Sequence, residues 1–445
     1  MSRTTQIFCV STLYGAATLV AAIESDCFTE CDRRVLMVFN NSATPETTPS
    51  VDEMPGFETL REHFDEVISF NDAIRPFHPG AWAPRLDDMP LLERYFRMLW
   101  DMESDSVELV MESLQVNPSL SLAQIFTGAP VHAYADGLMS YGPTRNKIDP
   151  LVGTRVLRLL HLDLVPGLKP MLLTEFGVPA ETVPTAAFLK VLSSLTGTAG
   201  ELPAVPDNSA LLLGQYLSAL GILTSAEEEN LHVRMMRGAV ERGHRSIVFK
   251  PHPTAPAGYG LALEAEAEKL GVQLTVINTP VLAEVLYEKT RPALVVGCFS
   301  TALFTASALY DLPVARIGTD MLLERLTPFQ NSNRVPVALA HALLPSLEKR
   351  SGKDSQELPA DLVGGLVIAL SFTMQPQIYP EMRATTERFL AKNYGPRLQR
   401  YFKRRRLTVL GLPGGIPQRL SFLPRNSTAR RVARRAKVTW KAVRR

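Results

Sequence analysis

Two blocks in which short apolar runs alternate with helical patterns predict an α/β chain of two Rossmann-like domains. A proline-punctuated stretch separates them, and the charge balance changes abruptly near residue 388, which adds a basic C-terminal tail. Alternation in this order builds parallel βαβ units, which bind ligands where strand ends meet helix starts. At 445 residues, 46% apolar and 21% charged, the chain can bury two ordinary cores, which excludes fibrous and globally disordered classes. The expected boundaries are 1–205 for an N-terminal domain with its connecting region, 206–390 for a C-terminal domain and 391–445 for the tail.

In the first block Gln6–Val10 reads as a strand, Ser11–Gly15 as a polar loop and Ala16–Ser25 as a small-residue helix. Thr4–Ile23 carries no charge, but Gln6, Ser11, Thr12, Tyr14 and Thr18 make it too polar for a membrane span. Arg34–Phe39, Glu66–Phe70 and Val107–Met111 read as strands, and Pro90–Trp100 and Ser119–Phe126 as helices. Pro130–Tyr134 is a strand running into Ala135-Asp136-Gly137. Seven prolines between Tyr141 and Pro206 predict a connecting region with only short elements. In the second block the strands are Ala210–Leu213, Ser246–Phe249, Leu274–Ile277, Ala293–Val296 and Val314–Ile317. The helices between them are Ala226–Arg242, Gly260–Leu270, Val281–Glu288 and Thr301–Tyr310. Glu227, Glu228 and Glu229 open the first of these helices, where carboxylates suit the helix dipole. Leu362–Pro380 is also uncharged, but its apolar run breaks at Ser371, so it reads as an element within a domain.

Of 47 basic residues, 18 fall in 388–445, which holds no acid; the first 387 carry the other 29 against all 45 acids, a balance of −16. Four cysteines (Cys9, Cys27, Cys31, Cys298) are too few for a disulfide scaffold, and no matching Cys/His pair completes a zinc site. Isolated thiols, a cytosolic chain and no metal are the expectation.

Three strand ends carry candidate chemistry. Asp136, followed by a permissive glycine, can stand in a cleft as a general base, or can simply close the strand in an Asx-turn. In Lys250-Pro251-His252-Pro253 two prolines fix the backbone around an imidazole that could serve a phosphate or a leaving group; otherwise it is a loop histidine in a stiff turn. Ser300 and Thr301 open a helix, where hydroxyls and unpaired N–H groups suit a phosphate, or merely cap it. Glu284 either meets ribose hydroxyls or faces solvent. In the first block Trp82 could stack on a ligand ring or pack beneath its loop, and Ser11 and Thr12 could line a cleft or cap the first helix.

Taken in order, Ala135-Asp136-Gly137, His252-Pro253 and Ser300-Thr301, with the flanking Gly137–Pro143 text, resemble the bacterial sialyltransferases of GT-B fold. The likeness is strongest to the alpha-2,8-polysialyltransferase family and spans most of residues 5–320. It implies two domains facing a cleft, with the acceptor on the N-terminal side and the nucleotide sugar on the C-terminal side. It also implies inverting transfer of sialic acid from CMP-sialic acid to a glycan hydroxyl, with no metal and no cofactor. By the same resemblance Asp136 matches the base, His252 the residue assisting phosphate departure, Ser300 and Thr301 the phosphate-binding pair and Glu284 a ribose ligand. Lys250 and Pro253, on either side of His252, are expected among the donor-binding residues. The chain departs at Ala135, where the family has a second acidic residue.

Within Thr428–Arg445, Val432, Ala436, Trp440 and Val443 share one helical face among arginines and lysines, which suits anionic lipid headgroups. Polyanionic glycan and nucleic acid are competing partners for such charge, though no specific nucleic acid is expected. The placement expected is cytoplasmic, peripheral at the inner face of the plasma membrane. Two other functions stay open: a GT-B transferase or epimerase using another nucleotide sugar, and a non-catalytic assembly subunit of a polysaccharide machine.

Overall fold

The computed structural model describes residues 3–135, 137–198, 200, 202–203, 205–206, 208–252, 259–349 and 358–416. Asp136, Pro253 and the basic amphipathic stretch 428–445 lie outside the described residues.

Two parallel sheets organise the chain. In the first, β1 (Thr4–Val10), β2 (Arg33–Val38), β3 (Glu66–Ser69), β4 (Ser106–Met111), β5 (Val131–Ala135), β6 (Val156–His161) and β7 (Ala180–Thr182) lie in the order β3-β2-β1-β4-β5-β6-β7. In the second, β8 (Ala210–Leu213), β9 (Ser246–Lys250), β10 (Gln273–Val276), β11 (Leu294–Gly297) and β12 (Val314–Arg316) lie in the order β10-β9-β8-β11-β12. The inner strands β8 (Ala210–Leu213) and β11 (Leu294–Gly297) are apolar and buried throughout because helices cover both faces of a parallel sheet, whereas the edge strand β7 is exposed. Successive side chains of β1 point to opposite faces: Ile7 and Cys9 join Val35 and Met37 in one apolar cluster, Phe8 and Val10 join Leu36 and Val38 in another. The latter cluster continues through β8, β9 and β11, so the two sheets share a core.

Strand order reverses beside β1 in one sheet and beside β8 in the other. Each reversal opens a crevice at the carboxyl ends of the strands, between β1 and β4 and between β8 and β11.

Two expectations needed correction. The first helix is Leu13–Glu24, earlier than Ala16, because the Thr12 hydroxyl accepts from the Gly15 N–H at 2.9 Å and caps it. The proline-rich region holds the six-residue β6 and a 14-residue helix, Thr185–Thr198. Three of its prolines sit at element borders: Pro150 begins a short helix, and Pro179 and Pro184 lie just outside β7 and that longer helix. The start of the basic tail is packed against the domain before it. Tyr401 and Leu407 are fully buried, Arg406 Nε donates to the Thr373 carbonyl at 2.7 Å and Lys403 Nζ to the Glu324 carbonyl at 2.6 Å. Apolar anchors interleaved with the charges decide that folding.

The uncharged stretch near 370 forms a core helix, Val363–Met374. Just beyond it the chain returns to the first sheet's loops, where the Thr144 N–H donates to the Tyr379 hydroxyl at 2.9 Å. Among the described residues no helix is long and apolar enough to cross a membrane.

Candidate active site

The carboxyl ends of six strands face one cleft of about 450 Å³. Thr12, Glu112, Ala135 and Gly137, which end or follow β1, β4 and β5, form one wall. Gln215, His252, Ser300 and Thr301, which follow β8, β9 and β11, form the other.

The walls touch at Gly137. The Leu138 N–H lies 3.5 Å from Thr301 Oγ1, and a Cβ on Gly137 would sit only 2.8 Å from that oxygen, so only glycine fits there without displacement. Thr301 begins the helix Thr301–Ala308, whose N-cap Ser300 accepts from the Ala302 N–H at 3.2 Å. Its positive end and two hydroxyls therefore open onto the cleft.

His252 stacks on Tyr216 with ring centroids 4.2 Å apart and planes tilted by 37°. Burial, and then the Lys250 charge, push its pKa down to about 4, so the imidazole is neutral near pH 7. The Tyr216 loop is fastened by Glu228, fully buried, which accepts from Leu217 N (2.6 Å), Ser218 N (2.9 Å) and Ser218 Oγ (2.7 Å). Among the three glutamates read as dipole partners, Glu228 thus has a tertiary task. Glu227 completes a capping box with Thr224.

Lys250 and Glu284 are buried behind this wall and are not among the described residues lining the cleft. Burial lowers the Lys250 pKa to about 8 and raises that of Glu284, and each group's charge opposes the other's shift. Glu284 accepts from Thr305 Oγ1 at 2.6 Å, which ties it to the helix that Thr301 begins.

Two acceptor-side candidates are not brought to the cleft. Trp82 packs edge-on against Phe70 (5.9 Å) and Phe96 (6.3 Å) in the outer apolar cluster, because its broad apolar ring gains more from burial there. Ser11 does not line the cleft, whereas Thr12 does.

The cleft also contains residues the sequence reading passed over. Glu112, 8% exposed, directly follows β4; Met111 pairs with Ala133, which sets Glu112 next to Tyr134, whose hydroxyl lies 3.4 Å from Glu112 Oε2. A carboxylate immediately after a predicted strand was the available signal. Gln215 is 8% exposed and its Oε1 accepts no hydrogen bond among the described residues, leaving a desolvated acceptor open to a ligand donor. Arg145 enters from the loop after β5. Among the described residues no three His, Cys, Asp or Glu side chains group so as to hold a metal ion. The arrangement sets an anion-binding helix end and an imidazole opposite a wall carrying a carboxylate, which is suited to displacing a phosphate-bearing leaving group.

No curated protein matches the chain. Among solved structures, the GT-B domain of a Photobacterium damselae sialyltransferase is 12% identical, with 75% of this chain and 95% of that one covered and a TM-score of 0.37. The 2,6-sialyltransferase of Photobacterium sp. JT-ISH-224, solved with CMP and lactose, is 11% identical, with 76% of each chain covered and a TM-score of 0.42. Acinetobacter baumannii MurG is 11% identical, with 86% of this chain and 95% of that one covered and a TM-score of 0.38. Superpositions this loose lend no weight to a function. The sequence does: the family model described as alpha-2,8-polysialyltransferase matches residues 6–319, which take in both sheets and every strand end at the cleft. The chain belongs to the alpha-2,8-polysialyltransferase family.

Proposed function

We propose that this glycosyltransferase moves sialic acid from CMP-sialic acid to a glycan hydroxyl, with inversion at the anomeric carbon and without a metal ion. The observation carrying the reading is the meeting of the carboxyl end of β5 with the start of the Thr301–Ala308 helix, in a cleft that His252 also lines. Asp136, directly after β5, takes the proton of the attacking hydroxyl, which is a poor nucleophile until that proton leaves. Negative charge gathers on the departing CMP phosphate. Ser300, Thr301 and the helix N-terminus receive it, and neutral His252 contributes one N–H. Lys250 and Glu284 support this wall, Glu284 through its bond to Thr305; Pro253, next to His252 in the chain, belongs to the donor side in this reading. Thr12 belongs to the acceptor side. A single displacement from the face opposite the phosphate inverts the configuration.

Incubation with CMP-sialic acid, following CMP release with and without candidate glycans, tests the reading. Asp136→Asn should keep CMP binding and lose transfer by roughly 10²–10⁴-fold, the usual scale for base catalysis. Release from UDP- or GDP-sugars instead, or an Asp136→Asn variant as fast as the parent, overturns it.

We assign residues 417–445, with their basic charge, to an anionic membrane surface at the inner face of the plasma membrane. Removal after Ile416, which spares the packed segment before it, should weaken salt-sensitive vesicle binding and leave turnover intact. Unchanged vesicle binding refutes that assignment.

A further inference from the structure

Arg145 is the one Lys or Arg among the described residues lining the cleft. Its backbone is held from two sides: its N–H donates to Gln115 Oε1, and its carbonyl accepts from Gln375 Nε2 at 2.6 Å. Among the described residues its guanidinium makes no hydrogen bond, ion pair or ring contact. Burial lowers its pKa, and no charge among the described residues acts on it. Other arginines removed from solvent are satisfied: Arg155 and Arg334 by backbone carbonyls, Arg316 by the Leu344 carbonyl and Thr319 Oγ1. A partly desolvated cation with no counter-charge among the described residues suits a cleft whose ligand brings an anion.

We propose that Arg145 is a binding site for the carboxylate of a sugar acid. A guanidinium presents two parallel N–H groups that match a carboxylate, and reduced hydration strengthens the pair. The phosphate has its own wall at Ser300, Thr301 and His252, whereas Arg145 follows β5 on the opposite wall, where the sugar and the acceptor meet. The inference rests on the transfer reading above and sharpens it. The carboxylate belongs either to the transferred sialic acid or to an acidic sugar ending the acceptor.

The test is equilibrium binding to the full chain and its Arg145→Gln and Arg145→Lys variants. One arm compares a sialic-acid-terminated glycan with its methyl ester, and the other compares CMP-sialic acid with its methyl ester. The parent should favour the acid by roughly 10–100-fold in one arm, the scale of a hydrogen bond to a charged group. Arg145→Gln should erase that preference and Arg145→Lys keep part of it, because an ammonium cannot form the paired contact. A preference lost in the glycan arm assigns the acceptor; one lost in the nucleotide arm assigns the donor. An Arg145→Gln variant that keeps the parental preference in both arms overturns the proposal. Binding of CMP alone should be equal in all three proteins. A parent that ignores CMP refutes the transfer reading while leaving the glycan arm to decide Arg145.

Discussion

Gly137→Ala should impair transfer for a purely spatial reason. At φ −154° and ψ −174° Gly137 has extended backbone that alanine adopts freely, so no conformational penalty enters. The added Cβ, however, would lie 2.8 Å from Thr301 Oγ1, while Thr301 Cβ and Cγ2 stand clear at 3.8 Å. Either the Thr301 hydroxyl rotates away from the proposed phosphate site or the two walls move apart. Overpacking of this kind costs about 1–3 kcal/mol, which corresponds to a loss of roughly 5–150-fold if the closed cleft is the active one. Thr301→Ala removes the clashing oxygen. In that background Gly137→Ala should cost almost nothing further, although Thr301→Ala itself slows transfer. Single-turnover transfer by the four proteins of this cycle measures the coupling, with melting curves to confirm folding. A Gly137→Ala variant at the parental rate, or one costing the same factor in both backgrounds, would refute the contact's role.

His252→Ala should lower transfer by roughly 10²–10³-fold, the scale for one stabilising donor, and a donor with a better leaving group should partly restore it; no loss in a folded variant refutes the assignment. Glu228→Ala, which frees the Tyr216 loop, should weaken CMP binding in the direction of His252→Ala, read by titration of CMP; unchanged affinity would show that the loop holds without its carboxylate. Transfer should survive excess EDTA, and loss of activity restored by magnesium or manganese would refute the metal-free scheme. Stability should fall on acidification: burial holds His232 and His252 at about 4 against an ordinary 6.5, so the unfolded chain binds more protons between those values. Their contribution is complete above pH 6.5 and is lost as pH drops toward 4. Melting temperatures across that range should show this, with a shallower slope in His232→Gln.

By itself the sequence determined the second sheet, most of the first and the cleft wall that carries His252, Ser300 and Thr301. Apolar runs such as Arg34–Phe39 and Ser246–Phe249 mark strands wherever they fold, and parallel connectivity gathers their carboxyl ends in one place. Residues just past those ends, His252, Ser300, Thr301 and Gly137 among them, therefore share the cleft. The strands β6 and β7 and the long helix inside 141–206 were hidden because proline at an element's border looks, in one dimension, like proline within it. Tertiary structure alone decided which polar groups are spent and which are open. Glu228 was already committed to a loop eleven residues earlier, Trp82 to the apolar cluster and Tyr401 to the core beneath a run of arginines. Arg145 and Gln215 remain desolvated in the cleft without such commitments among the described residues. Periodicity and turn chemistry are local properties written in spacing along the chain. Burial and the presence of a partner are set by neighbours distant in sequence, which only the packed chain brings together.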